Sequence, residues 1–250
     1  MEDHRKNGPE NGKSENTAPA DGVRINKYLS EAGICSRREA DRLVEAGQVS
    51  IDGVTAQAGD RVLPGQKVVV AGREAKKEQE DILLAFYKPK GVECTSDRSN
   101  PDNIIDYINY GKRIYTIGRL DKNSSGLILL TNNGDLAYRI AKAGDRHEKE
   151  YVVMVDKPVT EEFLSGMAGG VPILGTVTAP AKVRRTGDRT FGIVLIQGMN
   201  RQIRRMCEYF GYRVVNLKRI RVMNISLGNL ERGHYREVSP QERRDLYKLL

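Results

Sequence analysis

Several residue types are scarce in this sequence of 250 residues, and each scarcity argues against a class of protein. Tryptophan is absent, and there are only three cysteines and three histidines. The cysteines (Cys35, Cys94 and Cys207) are odd in number, lie far apart and form no Cys-x-x-Cys pair. This pattern argues against a disulfide framework and against a zinc site, and it is typical of reduced cysteines in a cytoplasmic protein.

Long apolar runs are also missing. The longest stretches, such as Ile82–Tyr87 and Leu127–Leu130, are far shorter than the ~20 residues that a membrane-spanning helix needs. The N-terminus begins Met1-Glu2-Asp3-His4 and has no apolar core, so the sequence predicts no secretory signal. We therefore expect neither a membrane protein nor an exported one.

The composition changes along the chain and divides it into four segments. Residues 1–22 are polar without apolar periodicity, which predicts a disordered tail. Residues 23–72 show helical and hairpin patterns, residues 73–81 are charged like a linker, and residues 82–250 are rich in strands. The predicted fold class is α+β, with a small N-terminal domain before a larger domain built on a mainly antiparallel sheet.

Two short helices and a hairpin are predicted in the small domain. Ser36 opens a capping box with Glu39, and the helix that follows should end at Gly47. The pair Asp52-Gly53 follows a short apolar run and predicts a tight turn between two strands, with a further strand at Lys67–Val70. An earlier helix is predicted by apolar residues at helical spacing, which are Ile25, Tyr28, Leu29 and Ala32.

The larger domain alternates irregularly between strand and helix patterns, as expected for a largely antiparallel sheet. Strands are predicted at Ile82–Tyr87, Ile114–Ile117, Leu127–Thr131, Glu150–Val155, Ala181–Arg185, Thr190–Leu195 and Val214–Ile220. Helices are predicted at Ile104–Ile108, Asp135–Ala141, Thr160–Ala168 and Asn200–Phe210.

Basic residues cluster on the two helices of the small domain. Helix N-termini and basic side chains both suit phosphate, which makes Arg24, Lys27, Ser36, Arg37 and Arg38 candidate phosphate contacts. A solvated helix surface is the alternative, because residues 23–75 carry eight basic and seven acidic residues.

Most of the net charge of +8 lies in one later segment, Gly198–Arg221, where seven basic residues accompany one acidic residue. On a helix, Arg201, Arg204 and Arg205 would share one face. This local excess favours a nucleic acid over a small anion, although a solvated surface is the alternative. The opposite, buried stripe of the helix would be Ile203, Met206, Cys207 and Phe210.

A loop rich in small polar residues begins with Gly118-Arg119-Leu120-Asp121, between two predicted strands. Loops of this kind often carry catalytic groups, and Asp121 is the candidate carboxylate. The residues alone favour a plainer interpretation, in which Asp121 begins a turn.

Four ordered blocks of the larger domain resemble pseudouridine synthases of the RsuA/RluB/RluE/RluF family. They are Tyr87-Lys88-Pro89-Lys90-Gly91, Gly118–Gly134, Lys149-Glu150-Tyr151 and Gly198–Arg205, with Tyr87 where the family commonly has Asn. Residues Val23–Val70 resemble the S4 RNA-binding domain, which this family commonly places first. Arg201–Tyr212 and Val222-Met223-Asn224 resemble most the RluF type, which acts on 23S rRNA.

The resemblance implies that a uridine within RNA is isomerised: its N1–C1′ bond breaks, the uracil turns, and C5 joins C1′. The implied catalytic residues are Asp121, Tyr151 and Arg204, with Ile203 as an apolar wall and Arg119 near a phosphate. Asp121 either attacks C1′ or removes a ribose proton. Tyr151 either stacks on the flipped uracil or transfers a proton at C5, and the sequence leaves both choices open.

No cofactor and no metal are expected, because motifs for both are missing, and His147 and His234 are expected at the surface. The expected partner is rRNA, specifically 23S rRNA, with tRNA as an alternative, and the chain is expected to act as a cytoplasmic monomer. The main alternative function is a non-catalytic S4-containing RNA-binding or ribosome-associated factor. A nucleotide-dependent ligase or helicase is disfavoured, since no credible phosphate loop occurs.

Overall fold

The structure, a computed structural model, describes residues 22–76, 80–142 and 147–250. The chain divides into two compact units, with the boundary between Glu78 and Gln79. The predicted disordered tail lies outside the described residues except for Gly22. This glycine is buried, and its carbonyl accepts a hydrogen bond from Arg61 Nη1 at 3.0 Å, so the ordered unit includes the last residue assigned to the tail.

The N-terminal unit consists of two helices beside a small antiparallel sheet. Its elements are β1 (Val23–Arg24), α1 (Ile25–Glu31), α2 (Arg37–Glu45), β2 (Val49–Ile51), β3 (Val54–Thr55), β4 (Arg61–Val62), β5 (Val68–Val70) and β6 (Arg73–Glu74). The sheet order is β3-β2-β5-β6, and β1 pairs with β4.

The predicted helices and hairpin of this unit are confirmed. Ser36 Oγ accepts the backbone N–H of Glu39 at 3.1 Å and thereby caps α2. Asp52 and Gly53 adopt φ values of +49° and +84°, which match the twist of the two strands that they join. Leu29 and Ala40 are fully buried in the core that the helices and the sheet share.

The N-terminal unit extends beyond residue 72, the end predicted from the sequence. β6 pairs with β5, and the buried Ala75 donates its N–H to Val68 O at 2.9 Å. Residues 73–75 therefore belong to this unit and not to the predicted linker. Their charged composition misled the prediction because Arg73 and Glu74 lie exposed on an edge strand.

The larger unit is built on a nine-stranded sheet with helices on both faces. Its strands are β7 (Leu83–Lys88), β8 (Tyr115–Ile117), β9 (Ser125–Thr131), β10 (Lys149–Val155), β13 (Lys182–Gly187), β14 (Thr190–Leu195), β15 (Val214–Val222), β16 (Ile225–Ser226) and β17 (Tyr235–Glu237). A separate hairpin contains β11 (Pro172–Ile173) and β12 (Thr176–Val177). The helices are α3 (Ile104–Ile108), α4 (Gly134–Ala141), α5 (Glu161–Gly169), α6 (Gln202–Tyr209) and α7 (Pro240–Leu249).

The predicted strands and helices of this unit are all present within two residues of their expected bounds, and the mainly antiparallel sheet is confirmed. α7 was missed, although Ser239 and Glu242 form a capping box with Pro240 at the first helical position. The short strands β11, β12, β16 and β17 were also missed, since two or three residues carry too little pattern.

β9 is buried over its whole length, because cores lie on both faces of the sheet. Ile128 and Leu130 face the core that contains residues of α3, α5 and α6. Leu127 and Leu129 face the core that contains residues of α4 and α7. A strand covered on both faces needs apolar residues at consecutive positions, which explains the continuous apolar sequence of β9.

The sheet splits beside β9, and the loop 118–124 leaves it at the split. One edge of β9 is shared: β15 pairs with it in parallel at Ser125 and Gly126, and β8 pairs antiparallel with residues 129–131. The carbonyl of Leu127 lies between these two partners. It accepts a hydrogen bond from the buried Arg219 Nε at 2.7 Å, so a side chain of β15 satisfies the carbonyl that neither strand pairs.

A buried lysine supports the same loop from β7. Lys88 is fully buried, and its Nζ donates hydrogen bonds to Pro89 O at 2.9 Å, Val92 O at 2.7 Å and Lys122 O at 3.3 Å. Burial lowers the pKa of Lys88 to about 8, against the attraction of Cys94 and Asp121.

The two histidines of the larger unit differ in exposure. His147, expected at the surface, is buried, and its Nδ1 lies 3.1 Å from Ile140 O. The carbonyl partner comes from α4, which the local sequence does not reveal. His234 is at the surface, as expected. Within the described ranges, no helix combines the length and apolarity needed to cross a membrane.

Replacing Gly126 with alanine should destabilise the larger unit far more than replacing a glycine whose added Cβ would meet open space. A Cβ at Gly126 would overlap the backbone of Arg219, lying 2.6 Å from its N, and φ there is +109°. We expect Gly126→Ala to lower the free energy of unfolding by about 3 kcal/mol or more, measured by urea denaturation. Gly91→Ala is the matched control, with φ of +91° and open space, and should cost about 1–2 kcal/mol. Equal losses would contradict the close-approach argument.

The Lys88→Met variant should differ from the wild type in the pH dependence of its stability, because it lacks the buried charge. In the unfolded chain this lysine titrates at its ordinary pKa of 10.5, and in the folded chain at about 8. Between these values the unfolded chain binds more protons, so wild-type stability should rise with pH relative to Lys88→Met, by up to about 3 kcal/mol. Urea unfolding from pH 7.5 to 10.5 measures this difference. Exposed Lys90→Met is the control and should parallel the wild type. Parallel curves for Lys88→Met would refute the lowered pKa.

Candidate active site

One cavity of about 120 Å³ in the larger unit brings together most of the predicted site residues of that unit. It lies between the loop 118–124, β10, β15 and the segment that leads into α6. Its lining includes Arg119, Asp121, Tyr151, Arg201, Ile203 and Arg204, together with Ser124, Gln197, Gln202 and Leu217.

Asp121 begins a turn and also faces the cavity, so both interpretations of its sequence apply. Its carbonyl accepts the N–H of Ser124 at 2.9 Å, while its side chain is 37% exposed. The residues on either side are anchored. Leu120 is buried and its N–H lies 3.4 Å from Cys94 Sγ, and Lys122 O accepts from Lys88. The carboxylate is thereby presented from a fixed backbone.

Arg204 of α6 joins the helix to the Asp121 loop. Its Nε lies 3.9 Å from Asp121 Oδ2, and its Nη2 donates to Asn123 O at 3.3 Å and Ser124 Oγ at 3.4 Å. The side chain is only 12% exposed, and burial together with Arg201 lowers the pKa of the guanidinium. Nε is buried without a hydrogen bond among the described residues, so Asp121 balances its charge through Coulomb attraction alone.

The walls of the cavity are aromatic and apolar. Tyr151 of β10 is 9% exposed, and its hydroxyl forms no hydrogen bond within the part of the chain that the structure describes. Ile203 and Leu217 are buried beside it. A planar, partly apolar group is therefore a suitable occupant.

The expected common face of three arginines is not formed. Arg201 lies before α6 in a left-handed conformation, with φ of +49°, and is exposed at the cavity. Arg204 points to Asp121, whereas Arg205 donates to Asn200 O and Asn200 Oδ1 at 3.1 and 3.3 Å and does not line the cavity. The helix begins one residue too late for Arg201 to share its periodicity. Of the predicted buried stripe, Ile203, Met206 and Cys207 are buried, whereas Phe210 is half-buried against the same core.

The basic segment Gly198–Arg221 is not one continuous surface for anions. Arg221 pairs with Glu148 at 2.9 Å and Glu150 at 3.0 Å, and Arg213 lies 3.9 Å from Asp156. These acidic partners are distant in sequence, so a count over the segment could not include them. Of the remaining cations, Arg219 is buried.

Three supporting side chains were not singled out as site residues from the sequence. Lys88 and Arg219 are buried cations close enough to interact electrostatically, and Asp121 attracts Lys88. Gln202 is also buried; its Oε1 accepts from Met199 N–H at 3.0 Å and its Nε2 donates to Gln197 Oε1 at 3.3 Å. Lys88 and Gln202 stand within blocks of the family resemblance, and that was their only sequence signal.

The N-terminal candidates belong to the other unit and differ among themselves. Arg24, Arg37 and Arg38 are exposed and form no ion pair or hydrogen bond among the described residues. Lys27 lies 3.5 Å from Glu31, and the Ser36 hydroxyl is engaged as the cap of α2. The three arginines are therefore the cations with most freedom to contact an anion. Across the described ranges, no group of three or more His, Cys, Asp or Glu side chains has a metal-binding arrangement.

Comparison with known proteins places this site in a family. A family model described as RNA pseudouridylate synthase matches residues 82–209, and one described as S4 domain matches residues 23–68. The dual-specificity RNA pseudouridine synthase RluF of Escherichia coli K12 is 53% identical over 234 residues, covering 93% of this chain and 81% of that protein. The ribosomal large subunit pseudouridine synthase B of Bacillus subtilis strain 168 is 33% identical, covering 88% and 93%.

A solved structure agrees with these matches. A crystal structure of a pseudouridylate synthase superimposes with a TM-score of 0.65 and 26% identity, over 92% of this chain and all of that one. The cavity lined by Asp121, Tyr151 and Arg204 lies in the catalytic unit that these relatives share. The chain therefore belongs to the RNA pseudouridylate synthase family and is an RNA pseudouridine synthase that carries an S4 domain ahead of its catalytic domain.

Proposed function

We propose that this enzyme isomerises a uridine of 23S rRNA to pseudouridine, with Asp121 as the essential carboxylate. The observation that supports the assignment most strongly is the Asp121 side chain, which lines a cavity together with Arg204 and Tyr151. One carboxylate, one guanidinium and one phenol suffice for this reaction, because no electron or group leaves the RNA.

The chemistry assigns a distinct task to Asp121. The N1–C1′ bond breaks, the uracil turns within the cavity, a C5–C1′ bond forms, and C5 loses the proton that N1 gains. Asp121 starts this sequence either by attacking C1′, from which C5 later displaces it, or by taking a ribose proton, which it returns when the C5–C1′ bond forms. Both routes need the charged carboxylate, and the Arg204 guanidinium lies 3.9 Å from it as an opposite charge.

The cavity walls suit a uracil that has left its stack. Extruding a base costs a few kcal/mol, and stacking on an aromatic ring returns about 1–3 kcal/mol. Tyr151 provides that ring, with Ile203 and Leu217 as apolar neighbours. The Tyr151 hydroxyl is also free, among the described residues, to receive or deliver the proton at C5.

The target RNA is proposed from the relatives and from the S4 domain. The Bacillus subtilis relative is named for the large ribosomal subunit, and the Escherichia coli relative for dual specificity. We infer 23S rRNA as the main substrate and tRNA as a second one. Arg24, Arg37 and Arg38 of the S4 domain supply phosphate contacts, and Arg119 and Arg201 supply them at the cavity, with Arg205 holding Asn200 at the approach to α6. The monomeric state and the cytoplasmic location stay predictions.

Asp121→Asn should abolish pseudouridine formation while RNA binding stays within about threefold of wild type. The amide keeps the shape of the side chain but cannot act as nucleophile or base, so turnover should fall by about 10³-fold or more. Chemical mapping of pseudouridine in 23S rRNA measures it. Asp102→Asn is the matched control, since its carboxylate pairs with Lys122 at 2.7 Å and does not line the cavity. Retained turnover in Asp121→Asn would refute the assignment.

Removing Arg37 and Arg38 together should weaken RNA binding in a salt-dependent way. For each phosphate that is no longer neutralised, the slope of log affinity against log salt should fall by about 0.7–0.9. Filter binding of 23S rRNA fragments at several salt concentrations measures this slope. Arg73→Ala controls for net charge, because Arg73 is an exposed arginine on β6 of the same unit. An unchanged slope in the double variant would show that these arginines contact solvent only.

A further inference from the structure

A second cavity of about 390 Å³ adjoins the Asp121 cavity at Arg119, which lines both. It lies between β8, the start of α3 and the residues that follow Val92, all within the catalytic unit. Its volume is about three times the 120 Å³ of the Asp121 cavity and falls in the range of small-ligand sites. Besides Arg119, its lining includes Cys94, Thr95, Ser96, Ile104, Ile105 and Thr116.

The lining combines an apolar floor with hydroxyl groups. Ile104 is fully buried and Ile105 half-buried, whereas Ser96 is exposed and Thr116 half-buried. The hydroxyls of Ser96 and Thr116 form no hydrogen bond within the described part of the chain, so they are available to a ligand. Such a surface suits a flat group with apolar faces and a polar edge, which describes a nucleobase.

The charges of the residues that line the cavity also favour a nucleotide as the ligand. Among the described residues that line the cavity, Arg119 is the charged one, and it has no ion-pair or hydrogen-bond partner in the described ranges. Cys94 is kept neutral, because burial raises the pKa of its thiol, and its Sγ lies 3.4 Å from the N–H of Leu120. The cavity therefore offers a neutral interior beside one unpaired cation.

We propose that this cavity binds the base of a nucleotide next to the target uridine, and that Arg119 contacts the phosphate between the two. This inference rests on the proposed function. A strand that delivers uridine to Asp121 carries a phosphate on each side of it, and Arg119 borders both cavities. Phosphate contacts fix the register of a nucleic acid, while hydrogen bonds to base edges read its sequence. The second cavity is thus a site of sequence recognition.

The proposal restricts the form of the substrate. Two neighbouring bases must both leave their stacks, and each extrusion costs a few kcal/mol unless the base is already unpaired. The enzyme should therefore prefer a uridine in a loop or bulge, with one flanking base also unpaired. The hydroxyls of Ser96 and Thr116 would discriminate among the bases at that flanking position.

An abasic scan of a bound RNA tests the proposal. The probe is the 23S rRNA fragment of about 20 nucleotides that the full-length Asp121→Asn protein binds most tightly, with one abasic residue placed at each position in turn. Two adjacent positions should show losses of affinity, the uridine and one neighbour. Each loss should be about 5- to 150-fold, as expected for one base stacked on protein.

A bulky side chain that fills the second cavity should lower RNA affinity as much as removing the neighbouring base does. Ser96→Trp, combined with Asp121→Asn, should weaken binding of intact RNA by a similar factor and cause no further loss with the neighbour abasic RNA. Ser165→Trp adds the same side chain at an exposed position of α5 and should leave affinity unchanged. Thr116→Val, which keeps the volume, should weaken intact RNA by about 3- to 10-fold and leave the abasic RNA unaffected.

The outcomes separate this proposal from the function on which it rests. Loss of affinity at a single position, or additive losses for Ser96→Trp and the abasic neighbour, would overturn the second base site. Pseudouridine formation by the wild-type protein on the same fragment tests the reaction itself. Two-position binding without product would overturn the proposed substrate and leave the base-binding cavity supported.

Discussion

The position of Arg219 on β15 is the constraint on which the catalytic unit depends. In register, Arg219 pairs with Gly126 of β9 on one side and with Tyr151 of β10 on the other. Gly126 follows the Asp121 loop, and Arg204 donates to Val214 O, at the start of β15, at 3.4 Å. One strand therefore fixes the distances among the carboxylate, the phenol and the guanidinium. The absence of a Cβ at Gly126 permits the close approach of β9 and β15.

The electrostatics of the site follow from the same geometry. The sheet splits where β8 and β15 share the edge of β9, and buried cations occupy the region behind the split. Lys88 donates to Lys122 O of the loop and to Pro89 O and Val92 O of its own segment, and Arg219 donates to Leu127 O. Both side chains donate hydrogen bonds to the backbone around the site, and neither lines its cavity. Asp121 nevertheless attracts Lys88, since Coulomb forces act over several ångströms in a medium of low polarity.

The sequence could predict what depends on near neighbours. Periodicity and capping identified α2, β9 and α6, because those signals lie within a dozen residues. Contacts between distant residues stayed hidden, as for the Glu148 and Glu150 partners of Arg221. Two shorter contacts, of His147 with Ile140 O and of Ala75 N–H with Val68 O, were also missed, because they leave no periodic pattern in the sequence. The Asp121 site was predicted through the family resemblance, since composition alone favoured a turn. The turn is present, and the side chain still faces the cavity.

The pairing of the basic residues gives more information than their number. A net charge of +8 permitted a polyanionic partner, and the segment Gly198–Arg221 held most of the excess. Once folded, that segment satisfies Arg213 and Arg221 with carboxylates and buries Arg219. Among the described residues, exposed cations without an ion pair or hydrogen bond include Arg37 in the S4 domain and Arg119 beside the cavities. Unpaired arginines can neutralise phosphates without first breaking an ion pair, so we expect RNA to contact the protein at these residues.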